Sequence, residues 1–125
     1  MLIGLLVAAI IVAYLIFMPE LEAVHITLFF SFWFLSFVLD AWITLSNKHL
    51  IRYETNIILP ILIRRYGSVT ASILIFLLEI SLMLAVSLLF TRTLSTDGIA
   101  VGALAFGTAH LLALISNLKF VKKNR

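Results

Sequence analysis

The sequence predicts an all-α polytopic membrane protein, with four transmembrane helices and a short interfacial or re-entrant segment between helices two and three. Hydrophobic residues make up 63% of its 125 residues and charged residues only 12%, against about 45–50% and about 25% in soluble domains. Nine basic and six acidic side chains are too few to cover a soluble globule of this size. We therefore expect a single transmembrane domain over residues 1–125.

The first predicted span covers residues 1–18, which contain no charged side chain. Eighteen helical residues reach ~27 Å, close to the ~30 Å hydrocarbon core of a bilayer. A cleaved signal peptide is the competing interpretation. It is disfavoured because no Lys or Arg precedes the apolar run and no small-x-small cleavage site follows it. Pro19 is expected to end this helix.

Three further apolar runs are long enough to cross the membrane with some tilt. They cover residues 24–46, 66–91 and 98–120. Residues 57–63 are also apolar, but seven residues cannot span a bilayer and Pro60 is expected to interrupt them. This segment is therefore predicted to lie at the interface or to form a re-entrant turn.

The basic residues predict the orientation of the spans. Four lie between spans two and three, four lie at the C-terminal end, one lies between spans three and four, and none lies between spans one and two. Because cytoplasmic loops are enriched in Lys and Arg, both termini and the middle loop are predicted to be cytoplasmic, in a cell membrane. The short basic clusters between apolar spans fit this explanation better than nucleic-acid binding, and no nucleic-acid partner is expected.

Polar residues inside the predicted spans are the candidate binding residues. A charged acid near the centre of a span costs about 2.5–3.5 kcal/mol on insertion scales, so Asp40 and Glu79 are expected to face protein. Helical rise places Glu79 and His110 ~15–16 Å from the cytoplasmic helix ends, with Asp40 at ~9 Å and Asn117 at ~5 Å. Thr44 lies one helical turn below Asp40 on the same face. These residues could form a polar ladder.

Two interpretations of this ladder remain open. Asp40, Glu79 and His110 could converge on a proton or cation site, because carboxylates and imidazole can exchange a proton or bind a metal. Alternatively, a protonated Glu79 hydrogen-bonded to His110 or a serine could simply fix helix pairing. The sequence identifies no catalytic residue, no cofactor and no particular metal, and it lacks cysteine and the HExxH motif.

The middle loop adds two candidates, Glu54 and Asn56, which could reach Asp40 from a re-entrant turn. Alternatively, Glu54 could form a surface pair with Arg52. The motif DAWIT at 40–44, then Glu-x-Asn and an apolar stretch containing Pro, resembles a family of small prokaryotic multi-span proteins of unknown function. The resemblance covers roughly residues 35–90 and implies that Asp40, Thr44, Glu54 and Asn56 form one site. Ile57 departs from the family, which usually has Pro directly after Asn.

The leading prediction is a membrane protein with a polar intramembrane site that binds or moves a small cation or a proton. The alternative is a non-catalytic accessory subunit of a larger membrane complex, and an enzyme is the least favoured class. Four spans enclose little cavity, so we expect association as a homo-oligomer or with other membrane subunits. The lipid bilayer is the other expected partner.

Overall fold

A computed structural model describes residues 9–10, 13, 21–47, 50, 58–91 and 96–123. Predicted span one lies outside this part of the chain except for three residues, and so do Glu54 and Asn56. The described residues form four continuous helices and no strand, which confirms the all-α prediction for them. The helices are α1 (Ala23–Ser46), α2 (Ile58–Tyr66), α3 (Ser68–Thr91) and α4 (Thr96–Lys123).

Three of these helices, α1, α3 and α4, are long and apolar enough to cross a membrane. They correspond to predicted spans two, three and four. Their outward faces carry large apolar side chains, as expected for helices in contact with lipid. Outward hydroxyl groups are satisfied within their own helices, since Thr27 and Ser81 each donate to the carbonyl four residues earlier, at 2.9 Å in both cases.

Helix α1 begins and ends where its backbone groups find local partners. The extended residue Glu22 precedes it, and the Glu22 carbonyl accepts hydrogen bonds from the amides of His25 and Ile26. At the other end, the Asn47 side chain donates to the Ile43 carbonyl at 2.9 Å. This bond satisfies one of the carbonyls that the last helical turn leaves without a helical partner.

The segment between spans two and three corrects one sequence expectation. Pro60 does not interrupt the apolar run but lies in the first turn of α2, where a missing amide hydrogen breaks no helical hydrogen bond. The helix ends at Tyr66 because Gly67 adopts φ +82° and donates its amide to the Ile63 carbonyl at 3.0 Å. Span three therefore starts at Ser68 rather than at Tyr66.

Helices α1 and α4 run parallel to each other, and α3 runs antiparallel to both. The starts of α1 and α4 meet where Asp97, in the first turn of α4, accepts a hydrogen bond from the Leu21 amide at 3.3 Å. An acid at this position also complements the positive end of the helix dipole, as Lys122 and Lys123 complement the negative end. The ends at Ser46 and Lys123 and the start at Ser68 therefore lie on one side of the bundle.

Two glycines on α4 allow the helices to approach closely. A Cβ built on Gly107 would lie 2.9 Å from the Trp33 Cα and 2.7 Å from a ring carbon of Phe32, both on α1. A Cβ built on Gly102 would lie 2.9 Å from the Met83 Cγ on α3. Small residues at helix interfaces permit this kind of contact in membranes. The core around them contains Trp33, Met83 and Ala103, with Phe30, Phe76, Ile80, Ile99 and Phe106 packed against it.

Candidate functional site

The polar stripe of α1 faces the interior of the bundle. Ser36 and Thr44 are buried, and Asp40 lies between them at the same helical spacing. Residues four apart share one face of a helix, so the sequence places all three toward α4. Helix α4 runs parallel to α1 and presents its own polar residues, His110 and Asn117, on the facing side.

His110 lies between two carboxylates from two other helices. Its Nδ1 is 2.9 Å from Asp40 Oδ2 on α1, and its Nε2 is 2.8 Å from Glu79 Oε1 on α3. Both distances are those of strong hydrogen bonds between an imidazole and a carboxyl group. We call these three residues, Asp40, His110 and Glu79, the carboxylate–histidine cluster.

The remaining oxygen of each carboxyl group also accepts a hydrogen bond. Trp33 Nε1 donates to Glu79 Oε2 at 2.8 Å, and Asn117 Nδ2 lies 3.2 Å from Asp40 Oδ1. The same Asn117 nitrogen lies 3.2 Å from Thr44 Oγ1. The result is a continuous chain of polar side chains: Trp33, Glu79, His110, Asp40, Asn117 and Thr44.

The cluster is largely shielded from solvent. The side chains of His110, Asp40 and Glu79 are 17%, 14% and 10% exposed. Phe37 meets the His110 ring edge to face, with the ring centroids 5.1 Å apart. Among the described residues, no other ionisable side chain hydrogen-bonds to the three groups, so their charges must balance mainly against one another.

Five of the seven predicted binding residues come together in this structure: Asp40, Thr44, Glu79, His110 and Asn117. Helical phase and depth were the signals that grouped them. The other two, Glu54 and Asn56, lie outside the described residues. That any of these residues binds a ligand stays a prediction.

The sequence analysis missed Trp33. This residue is 5% exposed, and its indole N–H is a direct partner of Glu79. The available signal was its spacing, since Trp33 lies seven residues before Asp40 and therefore on nearly the same face of α1. A buried tryptophan usually needs a hydrogen-bond acceptor, so a buried acid on a neighbouring helix was a natural partner for it.

The geometry of the cluster suits proton exchange. Carboxyl and imidazole groups can each take up or release a proton, and here every link in Asp40–His110–Glu79 joins two such groups. Within the described part of the chain, no group of three or more His, Cys, Asp or Glu residues is arranged to hold a metal ion. Both ring nitrogens of His110 are already paired with carboxyl oxygens.

No family model, no curated protein and no solved structure matches this chain. The resemblance over residues 35–90 therefore stays an expectation, and the arguments that follow rest on the geometry of the chain itself.

Proposed function

We propose that this protein is a multi-pass membrane protein whose carboxylate–histidine cluster reversibly binds a proton within the membrane. The observation that carries the proposal is the position of His110, which is 2.8 and 2.9 Å from carboxyl oxygens of Glu79 and Asp40. A packing role would be served by one hydrogen bond between two helices. The cluster instead joins three titratable groups from three helices.

Counting protons gives the charge of the cluster. Each of its two N···O links is a hydrogen bond only if one proton lies between the two atoms. With two protons, His110 is either a cation between two carboxylates or a neutral ring between one carboxylate and one carboxylic acid. In both cases the three groups together carry one negative charge.

A single negative charge is costly in an apolar environment. A third proton removes that charge without breaking either link, because a protonated carboxyl oxygen can still accept a hydrogen bond. A small monovalent cation beside Asp40 could neutralise the cluster as well. We favour the proton because the described groups that contact the acids, His110, Trp33 and Asn117, do so through nitrogen at hydrogen-bond distances.

We propose the following topology around this site: four spans, with residues 57–63 at or within the cytoplasmic face and both termini in the cytoplasm. Supporting it are the basic residues Arg64, Arg65, Lys122 and Lys123 at one side of the bundle. The short length of α2, nine residues, also supports it, because such a helix reaches only ~14 Å and cannot cross a bilayer.

We also propose that the protein associates with copies of itself. The alternative, an accessory subunit of a larger complex, predicts that the purified chain is stable only with its partners. Recovery of a stable homo-oligomer in detergent supports the first role, and recovery only with other membrane proteins supports the second.

The direct test of proton binding is the pH dependence of stability. Above pH 7 an unfolded chain holds no proton on Asp40 or Glu79 and a largely neutral His110, whereas the folded cluster holds at least one proton more. The folded state therefore binds more protons, and its stability should rise as the pH falls from about 8. Below about pH 6.5 the unfolded His110 also becomes protonated, so a rise that continues to about pH 5 measures the third proton of the cluster. The expected slope is about 1.4 kcal/mol per pH unit for each additional proton.

Variants test whether the cluster causes this dependence of stability on pH. Asp40→Asn leaves a neutral His110–Glu79 pair, so the slope should fall by about one proton, and Asp40→Asn with Glu79→Gln should remove most of it. Asp97→Asn is the matched control, because Asp97 lies outside the cluster and its replacement can still accept from Leu21. If wild type and the double variant show the same slope, the proposal fails.

A further inference from the structure

The inward face of α1 changes character along the helix. Trp33 and Phe37 are buried on the side of Asp40 toward Ala23, while Thr44 is buried on the side toward Ser46. The two ends of the polar chain therefore have different surroundings, and this asymmetry bears on how a proton reaches the cluster.

Aromatic side chains and close helix packing cover the Glu79 end. Trp33 stacks on Phe76 with ring centroids 4.8 Å apart, and Phe37 lies 5.3 Å from the same ring. Helix α4 approaches so closely that Gly107 leaves no space for a Cβ beside the Trp33 Cα. The buried core of Trp33, Met83 and Ala103 lies on the same side of Glu79, toward the starts of α1 and α4, and such an apolar core offers water few hydrogen-bond partners.

Trp33 is also the last member of the chain of polar side chains that can take part in hydrogen bonding at this end. An indole N–H donates a hydrogen bond but cannot accept one. A proton cannot be handed to Glu79 through a group that has no acceptor site, so Glu79 cannot exchange its proton by way of Trp33.

The Asp40 end has different chemistry. The side chains of Asp40 and His110 are 14% and 17% exposed, compared with 10% for Glu79. Asn117 Nδ2 lies 3.2 Å from Asp40 Oδ1 and also 3.2 Å from Thr44 Oγ1. This end faces the side of the bundle where α1 and α4 end.

We propose that the cluster exchanges its proton at Asp40 only, with the aqueous phase on the side of Ser46 and Lys123, and that Trp33 closes the Glu79 end. The proposal rests on the proposed function and adds a direction to it. In the predicted topology, the accessible side is the cytoplasm.

The transfer to Glu79 is a shift of two protons. In the starting form, an Asp40 carboxylic acid donates to His110 Nδ1, and His110 Nε2–H donates to the Glu79 carboxylate. The Asp40 O–H and His110 Nε2–H bonds break, and the Nδ1–H and Glu79 O–H bonds form. The ring stays neutral, the total charge stays at minus one, and the acid proton has moved from α1 to α3.

The groups around this path come from all three long helices. Asp40 lies on α1, Glu79 on α3 and His110 on α4, and the described residues of α2 contribute no hydrogen bond to them. The neighbouring donors Trp33 and Asn117 do not titrate in the accessible pH range. Within the described part of the chain, a pH response of the path therefore belongs to the cluster.

Trp33 provides a reporter for the test. The chain has two tryptophans, and Trp42 is 64% exposed and outside the cluster, so Trp42→Phe leaves Trp33 as the single fluorophore beside Glu79. The variant is reconstituted in liposomes with an impermeant buffer on each side. A second substitution, Lys123→Cys, reports orientation through an impermeant thiol reagent, because the native chain has no cysteine.

We expect the Trp33 emission to follow a pH step only on the side where Lys123→Cys is labelled. Glu79→Gln should abolish the response, which assigns it to that acid. His110→Gln should slow the response by about tenfold or more, the rate equivalent of losing one hydrogen-bonded relay step, because it removes the titratable group between Asp40 and Glu79.

The outcomes separate this proposal from the proposed function. A response to pH on both sides, a response to the opposite side, or an unchanged rate in His110→Gln overturns the single access point while leaving proton binding intact. No Trp33 response to pH on either side, together with a flat pH dependence of stability, contradicts proton binding itself.

Discussion

His110 shares its two ring nitrogens between acids on two helices, so the position of Glu79 depends on more than its own helix. The indole of Trp33 provides the second anchor, with a 2.8 Å bond to the other oxygen of Glu79. A buried acid held at both oxygens has little freedom to rotate. The structural role of Trp33 can be tested without changing any charge.

We predict that Trp33→Phe destabilises the folded protein by about 0.6–2 kcal/mol. The phenyl ring can retain the stack on Phe76, but Glu79 Oε2 loses its donor, and hydrogen bonds between membrane helices typically contribute in this range. Chemical or thermal unfolding in detergent measures the effect. Trp42→Phe is the matched control and should change stability by less than about 0.5 kcal/mol, because its side chain is exposed. Equal effects of the two substitutions would contradict the role of Trp33.

Sequence reasoning worked for residues whose position follows from helical geometry. Asp40, Thr44, His110 and Asn117 meet because spacing along one helix fixes a face, and depth in the membrane fixes a level. Trp33 was not predicted, because the hydrogen bond to Glu79 depends on the distance between α1 and α3. That distance depends on which side chains pack between the helices, and no pattern within one helix specifies it.

At the scale of helices, α4 serves as the close-packing surface for both of its neighbours. Small residues at 98, 102, 103 and 107 permit close approach of other helices, but the sequence alone does not tell which of them meets backbone and which meets a flexible side chain. Gly107 faces the Trp33 Cα, whereas Gly102 faces the Met83 side chain.

This difference predicts unequal effects of alanine. Gly107→Ala should destabilise the bundle by about 1–3 kcal/mol, because a Cβ 2.9 Å from the Trp33 Cα forces α1 and α4 apart. Gly102→Ala should cost clearly less, since the Met83 side chain can change rotamer to make room. Unfolding midpoints of the two variants, measured side by side, check the order. A larger effect at Gly102 would be inconsistent with the packing described.

The structure of helix α2 differs from the local structure that the sequence predicts. Pro60 was expected to break the apolar run, yet a proline in the first turn of a helix removes no helical hydrogen bond. No sequence signal marks Ile58 as the start of a helix, and the sequence therefore predicts that Pro60 interrupts the apolar run. The prediction that this segment does not cross the bilayer depends on its length and is unaffected.

The placement of α2 can be tested by thiol labelling. Ile58 and Tyr66 are each 48% exposed and lie at opposite ends of the helix. Ile58→Cys and Tyr66→Cys should both react with an impermeant reagent from the same side as Lys123→Cys. Reaction of the two positions from opposite sides would mean that this segment crosses the membrane.

At the scale of the whole molecule, the ends of α1 and α4 and the start of α3 lie together at one side of the bundle. Basic residues of α2 and α4 are found near that side. The distribution of Lys and Arg along the sequence predicts that these basic residues lie on one side, because each crossing of the membrane reverses the direction of the chain.

We predict that both termini are cytoplasmic. A fluorescent reporter that is active only in the cytoplasm should be active when fused after Arg125, and alkaline phosphatase at the same position should be inactive. A fusion after Ser95, between α3 and α4, serves as the control and should give the opposite pattern. An active phosphatase after Arg125 would reverse the proposed orientation and the cytoplasmic access to Asp40 with it.

The contact between Met83 and Gly102 lies one helical turn from Glu79. Both hydrogen bonds of Glu79 also reach across to other helices, so α3 is held to its neighbours at two successive turns. A change of protonation that keeps both hydrogen bonds leaves this part of α3 in place. The cluster can therefore change its charge while the bundle keeps its shape.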